Sequence, residues 1–299
     1  MSTNTFQSFW YGSKLSTREK LCLSSFVSRN KKFELYTYDK LLSVPDGVTL
    51  KNASEVYPKE EVFFYDTDED EGSVAVFSDL FRYKLLYEKG GWWVDTDVIY
   101  TGHPVPESES FFAKQSNGKV NNAVIKFPEG SKIPKKCIEY IKLMGRDEAA
   151  SSWGKSGPEL LTEVIKEENR MGEARPKSSA YPVSEAQAFL MSKRQEEVER
   201  ETSSSPFVHL WNAELRRMGI EKDIPPPKGS YLDRCAEELG LDWPCTEVRY
   251  SDEMVNQMAR NLNRARAVEW EIEKIRSSTT WKVISWIGFI RQCIGFQNR

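Results

Sequence analysis

Apolar residues recur at helical spacing at Phe77, Leu80, Phe81 and Leu85, and the pattern stops at Gly90-Gly91. The next stretch, Trp92 to Tyr100, is rich in aromatic and β-branched residues and predicts a strand. Nearer the N-terminus, Thr5 to Gly12 reads as a strand followed by a turn, and Lys32 to Tyr38 alternates as a second strand. Between them, Ser16 with Glu19 three residues later is a capping-box signature. It opens a helix to about Ser28, with Leu21, Leu23, Phe26 and Val27 as its apolar content. Strand, helix and strand at this spacing make a βαβ unit, which predicts an α/β fold with a parallel sheet. Such sheets bind ligands at the carboxyl ends of their strands. Trp10 and Tyr11 should therefore lie near the end of the strand that carries Asp95 and Asp97.

Further along, Val120 to Ile125 predicts a strand bearing Asn121 and Asn122, and Pro158 suits the first residue of a helix. Gln195 to Glu201 is a charged, solvated run. Ser203 to Pro206 is a loop leading into Phe207 to Asn212. The Pro225-Pro226-Pro227 run cannot continue a helix or inner strand. Beyond Tyr250, Met254, Met258, Leu262, Ala265, Val268, Ile272 and Ile275 form a helical stripe over about three heptads. Trp281 to Arg291 is apolar, holds two tryptophans and is too short to span a bilayer. It suits an interfacial helix, packing on the stripe, or packing on a second subunit.

The candidate chemistry is concentrated in Phe77 to Tyr100. Side chains alternate along a strand, so Trp93, Asp95 and Asp97 are expected on one face. Carboxylates roughly 7 Å apart along an extended chain can share one hard divalent cation, Mg²⁺ or Mn²⁺. Asp79 and Arg82, three apart on the helix, share a face as well. The acidic run holding Asp66, Asp68 and Asp70 begins like a calcium loop. Its sixth position is Glu71 rather than Gly and its twelfth is Phe77 rather than Glu, so it reads as a solvated loop. Of the two histidines, His103 lies between Gly102 and Pro104 and reads as a loop residue. His209 sits in an apolar run and on that pattern reads as a hydrogen-bonded strand-end residue.

Ser78-Asp79, Arg82-Tyr83 and Gly90-Gly91-Trp92-Trp93-Val94-Asp95-Thr96-Asp97 together resemble the Asp-x-Asp glycosyltransferases of GT-A fold. The resemblance is to the family of yeast-type initiating α-1,6-mannosyltransferases, α-1,4-galactosyltransferases, glucosylating bacterial toxins and related capsular or lipopolysaccharide transferases. It covers about residues 5 to 215. It implies a Rossmann-like GT-A domain, assigned to residues 1–245, with a C-terminal helical appendage at residues 246–299. It further implies a metal-dependent enzyme that moves a hexose from a nucleotide sugar to a hydroxyl with retention of configuration. The expected metal ligands are Asp97, Asp95 and His209, and the cofactor is Mn²⁺ or Mg²⁺. Asp79 and Arg82 are expected at the sugar hydroxyls and phosphate, and Trp10 on the nucleotide base. Tyr11, Ser78, Trp93 and Asn122 complete the expected donor site. Trp93 stands where the family most often has Tyr, so the hydroxyl's hydrogen bond is in question. Gln7 stands where the family's opening strand has His.

The net charge of −3 gives no nucleic-acid footprint. The five cysteines are scattered and odd in number, which fits a reducing compartment. With no leader-like apolar segment, the expectation is a cytoplasmic enzyme, peripheral at the inner membrane face if residues 254–296 meet lipid. Self-association through the same residues is the alternative. The expected partners are a UDP- or GDP-hexose donor and a glycan or glycolipid acceptor in surface polysaccharide synthesis. Two other readings compete: a nucleotide-sugar-binding protein without activity, and a scaffold in which the C-terminal helices are the function.

Overall fold

A computed structural model describes residues 4–66, 72–151, 154–193, 196–244 and 247–279. Its strands are β1 (Phe6–Trp10), β2 (Phe33–Thr37), β3 (Val48–Asn52), β4 (Gly91–Val94), β5 (Val98–Tyr100), β6 (Phe111–Lys114), β7 (Val120–Phe127) and β8 (Phe207–His209). The α-helices are α1 (Thr17–Val27), α2 (Ala75–Lys89), α3 (Lys132–Met144), α4 (Arg146–Ala150), α5 (Leu160–Glu167), α6 (Glu196–Thr202), α7 (Asn212–Arg217), α8 (Tyr231–Glu238) and α9 (Asp252–Ser277). Six strands form one sheet in the order β3-β2-β1-β4-β7-β6. The first four are mutually parallel, and β7 and β6 add antiparallel pairings at the far side. The chain is therefore α/β with a mostly parallel sheet, as the βαβ spacing predicts.

Both faces of the sheet are covered, so β1 is buried up to its last residue and β4 along its whole length, with Gln7 and Ser8 of β1 buried as polar residues. The pleat sends neighbouring side chains to opposite layers. Phe6 and Trp92, with ring centroids 5.4 Å apart, join Phe26 of α1 and Phe207 of β8 on one face. Phe9 and Trp93 join Phe77 and Phe81 of α2 on the other, Phe9 stacking on Phe81 at 4.5 Å. The capping signature at Ser16 is met on the backbone side: the Ser16 N–H donates to Glu19 Oε2 at 2.9 Å.

Two expectations need correction. Trp92 to Tyr100 is not one strand. β4 ends at Val94, the Asp95-Thr96-Asp97 segment turns, and β5 pairs antiparallel with β8 in a separate two-stranded sheet. Asp is a poor strand residue and a good turn former, and the Val98 N–H closes the turn on the Asp95 carbonyl at 3.2 Å. Helix α5 starts at Leu160 rather than Pro158, because Lys155–Glu159 makes a wider turn with Gly157 outside helical geometry. The striped helix forms as α9, with most of its stripe left uncovered. Val255 and Ala259 are buried, whereas Met254, Val268, Ile272 and Ile275 are exposed. The Trp281–Arg291 reading lies outside the described residues, as do Asp68 and Asp70 of the acidic loop. Among the described residues no helix is long and apolar enough to cross a membrane.

The junction between α2 and β4 depends on Gly90. Its φ is +62°, and a Cβ there would lie 2.5 Å from the Glu129 backbone nitrogen. Its carbonyl accepts from Gln7 Nε2 at 2.8 Å, tying the turn to β1. Gly90→Ala is expected to cost about 2 kcal/mol or more through backbone strain and overlap. Chemical denaturation would check this; an unchanged midpoint would contradict it.

Candidate active site

A cleft of about 520 Å³ opens at the carboxyl ends of β1 and β4. Chain order reverses direction across the sheet between these two strands, the usual ligand position in open α/β sheets. Trp10, Tyr11, Ser78, Asp79, Arg82, Trp93, Asp95, Asp97, Asn121, Asn122 and His209 all line it. The structure therefore brings together every residue that the sequence reading assigns to the donor and metal positions. His103 is not among the lining residues.

One wall is organised by Arg82. Its guanidinium is buried, donates to Asp79 Oδ1 at 2.5 Å and to Asp95 Oδ1 at 2.6 Å, and lies 4.9 Å over the Trp93 ring. Burial opposes its charge, but the two carboxylates outweigh this and raise its pKa. Asp79 also accepts from Asn122 Nδ2 and Ser156 Oγ, each at 2.8 Å. Gly157 lets its backbone approach this cluster: an added Cβ would sit 3.0 Å from Asp79 Oδ2. Trp93 keeps a hydrogen bond without a hydroxyl, since its indole N–H donates to Asp95 Oδ1 at 2.6 Å.

Asp97 is held by the segment 209–212. Its backbone carbonyl accepts from the Leu210 N–H at 2.8 Å and its Oδ2 from the Asn212 N–H at 2.9 Å. His209 Nε2 lies 3.2 Å from its Oδ1. Trp211, between those contacts, sits in the left-handed region at φ 56°. Such strain in a non-glycine residue persists where its surroundings fix it. Here the Trp211 indole N–H donates to the Val183 carbonyl at 2.9 Å, and the ring packs 4.2 Å from His209. The two aspartates are driven apart in pKa. Burial and the nearby Asp97 push Asp95 up against the pull of Arg82. For Asp97 burial also pushes upward, but His209, the Asn212 N–H and Lys222 overcome it and hold it at about 2. Burial disfavours the His209 cation, yet Asp97 more than compensates and raises its pKa.

Asp95, Asp97 and His209 each offer a ligand atom within 4.8 Å of the others. This is a donor set that could hold one divalent cation. The sequence reading missed Glu19, Lys222 and Ser156. Glu19 reads as a capping residue only, but its Oε1 accepts from Lys222 Nζ at 2.5 Å at the cleft wall. Lys222 also lies 5.5 Å from the Trp10 ring. Nothing in the local pattern signals an ion pair between residues 203 apart.

Replacing Arg82 by Met would leave two buried carboxylates facing each other without a cation. Removing one partner of such a cluster costs about 3–5 kcal/mol. The loss should shrink between about pH 7 and about pH 5, because burial and Asp97 push the Asp95 carboxyl upward and, without Arg82 to oppose them, it neutralises as pH falls. Urea unfolding of wild type and Arg82→Met at both pH values checks this; a loss independent of pH would contradict it.

Residues 16–115 match the sequence model of a family described as glycosyltransferase sugar-binding region containing DXD motif. The chain is 30% identical over 92 residues to the alpha-1,4-N-acetylglucosaminyltransferase of Homo sapiens; that stretch is 30% of this chain and 25% of the relative. Among solved structures, similarity extends to the PaToxG glycosyltransferase (TM-score 0.43, 11% identity, 87% of this chain and 86% of that one). It extends also to the UDP-bound glycosyltransferase domain of the YGT toxin (TM-score 0.42, 9% identity, 87% and 99%). A third is the galactosyltransferase LgtC in complex with donor and acceptor sugar analogues (TM-score 0.41, 9% identity, 81% and 98%). Likeness at those TM-scores carries no weight for function. The matched segment 16–115 holds Asp79, Arg82, Asp95 and Asp97 and is similar to that DXD-containing sugar-binding region.

Proposed function

We propose that this chain is a GT-A-type glycosyltransferase. It moves a hexose from a UDP- or GDP-sugar to a hydroxyl of a glycan or glycolipid, with retention of configuration, using residues 1–245. The observation that carries the reading is the convergence of Asp95, Asp97 and His209 in a cleft that Trp10 and Tyr11 also line. Two carboxylates and an imidazole suit Mn²⁺ or Mg²⁺. The cation supplies Lewis-acid neutralisation of the diphosphate leaving group when bound.

The remaining work falls to the protein. Trp10, with Lys222 beside its ring, offers a flat face for the nucleotide base next to a positive charge for phosphate. Asp97 is kept ionised, so the site is ready to take a cation at neutral pH. Arg82 positions Asp95 and balances the negative charge of that wall. Asp79 and Asn122, with Ser78 on the same helix face side of the cleft, present hydrogen-bonding groups to the sugar. The site acts by holding donor and acceptor together in a preorganised polar setting.

Thermal-shift measurements with UDP and GDP, each with and without Mn²⁺, test the reading. Ligand at about a hundred times its dissociation constant adds roughly 2.7 kcal/mol. A shift that needs both one nucleotide and Mn²⁺, and that is absent in Asp97→Ala, is expected. No shift with either nucleotide would overturn it. Turnover in Asp97→Ala should fall by roughly 10²-fold or more, assayed below the variant's own unfolding midpoint, which drops because Asp97 pairs with His209 and accepts the Asn212 N–H. Mn²⁺ affinity should weaken as pH falls, because a proton on His209 competes with the cation and Asp97 raises the affinity for that proton. Titration calorimetry across about pH 6 to about pH 8 would show it; a flat profile in wild type would remove His209 from the ligand set.

A further inference from the structure

Helix α9 has two halves of different character. Its first turns pack on the body through buried Val255 and Ala259, with Met258 and Leu262 partly covered. From residue 263 to residue 277 every residue is exposed. An exposed helical extension of this length has little stability of its own. At 100° per residue, Ala265, Val268, Ile272 and Ile275 form a stripe roughly 140° round the helix from Val255 and Ala259. The stripe therefore points away from the body. Arg266, on the body side, fixes this rotation by pairing with Glu214 of α7 at 2.8 Å.

The stripe has the 3-4-3 spacing of a coiled-coil seam. Arg264 and Glu271 flank it on one side, Glu269 and Arg276 on the other, and none of these four has an ion pair or hydrogen bond among the described residues. We propose that this face is a parallel, in-register interface with a second copy of the chain. In that arrangement Arg264 meets Glu269 of the second copy and Glu271 meets its Arg276, so both flanking pairs are opposite in charge. The antiparallel arrangement that matches Ala265 with Ile275 and Val268 with Ile272 instead brings Glu269 against Glu269 and Glu271 against Glu271. The charges thus select one orientation of one occupant. The exposed stripe is two heptads long, so the association is reversible rather than permanent.

Sedimentation equilibrium of the full 299-residue chain over about 1–100 µM tests this, and it is independent of donor binding. Wild type should follow a monomer–dimer equilibrium. Glu269→Arg makes two symmetry-related repulsive pairs with Arg264 and should raise the dissociation constant by about tenfold or more. Adding Arg264→Glu to that variant restores opposite charges and should return the constant to within about threefold of wild type. A wild type monomeric throughout would overturn the proposal. So would failure of the double swap to recover dimers. A monomeric wild type that co-sediments with anionic phosphatidylglycerol vesicles would assign the stripe to lipid instead.

Discussion

A single buried guanidinium holds the cleft's shape. Arg82 lies on α2 and Asp95 in the turn after β4, and the guanidinium bonds to Asp79 on its own helix and to Asp95 across the gap. Burying a cation is unfavourable unless its charge is balanced and its protons are used. Here two carboxylates do both, and the Trp93 ring covers one face. The arrangement explains why an indole serves at position 93. Its N–H reaches the same Asp95 oxygen that Arg82 uses, so that oxygen is fixed from two directions.

Asp97 is fixed by a different part of the chain. Leu210 and Asn212 donate to its backbone and side chain, and Trp211 adopts a left-handed conformation between them. The two aspartates of one turn therefore answer to separate supports. Asp95 belongs to the α2 wall and Asp97 to the β8–α7 segment. The opposed pKa directions follow from this division. One carboxylate is desolvated beside a like charge. The other takes hydrogen bonds and a nearby imidazole. A group reaching between the two walls contacts both kinds of carboxylate at once.

Local patterns made much of this legible. Asp79 and Arg82 are three apart on a helix whose apolar spacing is clear, and their shared face is what the structure uses. Trp10 stood out at the carboxyl end of the first strand, and His209 as one of two histidines, set in an apolar run. The strand reading of Trp92 to Tyr100 failed at Asp95, because periodicity cannot tell that the chain changes sheets there. The aspartates converge through a turn, not through strand alternation. The link between Glu19 and Lys222 was invisible, since an ion pair across 203 positions leaves no local mark. The stripe of α9 was legible as a helix, but its spacing carries no information on burial: Val255 and Ala259, beside the stripe, are the residues the body covers.

That one-sided contact has a mechanical consequence for the cleft. Glu214 on α7 lines the cleft and is held at once by Arg217 on α7 and by Arg266 on α9. Helix α7 begins directly after the strained Trp211 that braces Asp97. Tyr250, Val255 and Ala259 sit in the same hydrophobic cluster as Trp211 and Leu215. The start of α9 is thus packed into the layer that supports the 209–212 segment, while its end stands in solvent. A load applied along the exposed half would be felt first at Arg266 and Glu214, one short helix away from Asp97. The C-terminal helix is therefore joined to the wall of the cleft that carries Asp97 and His209, whereas the Arg82 wall, across the sheet, is built without it.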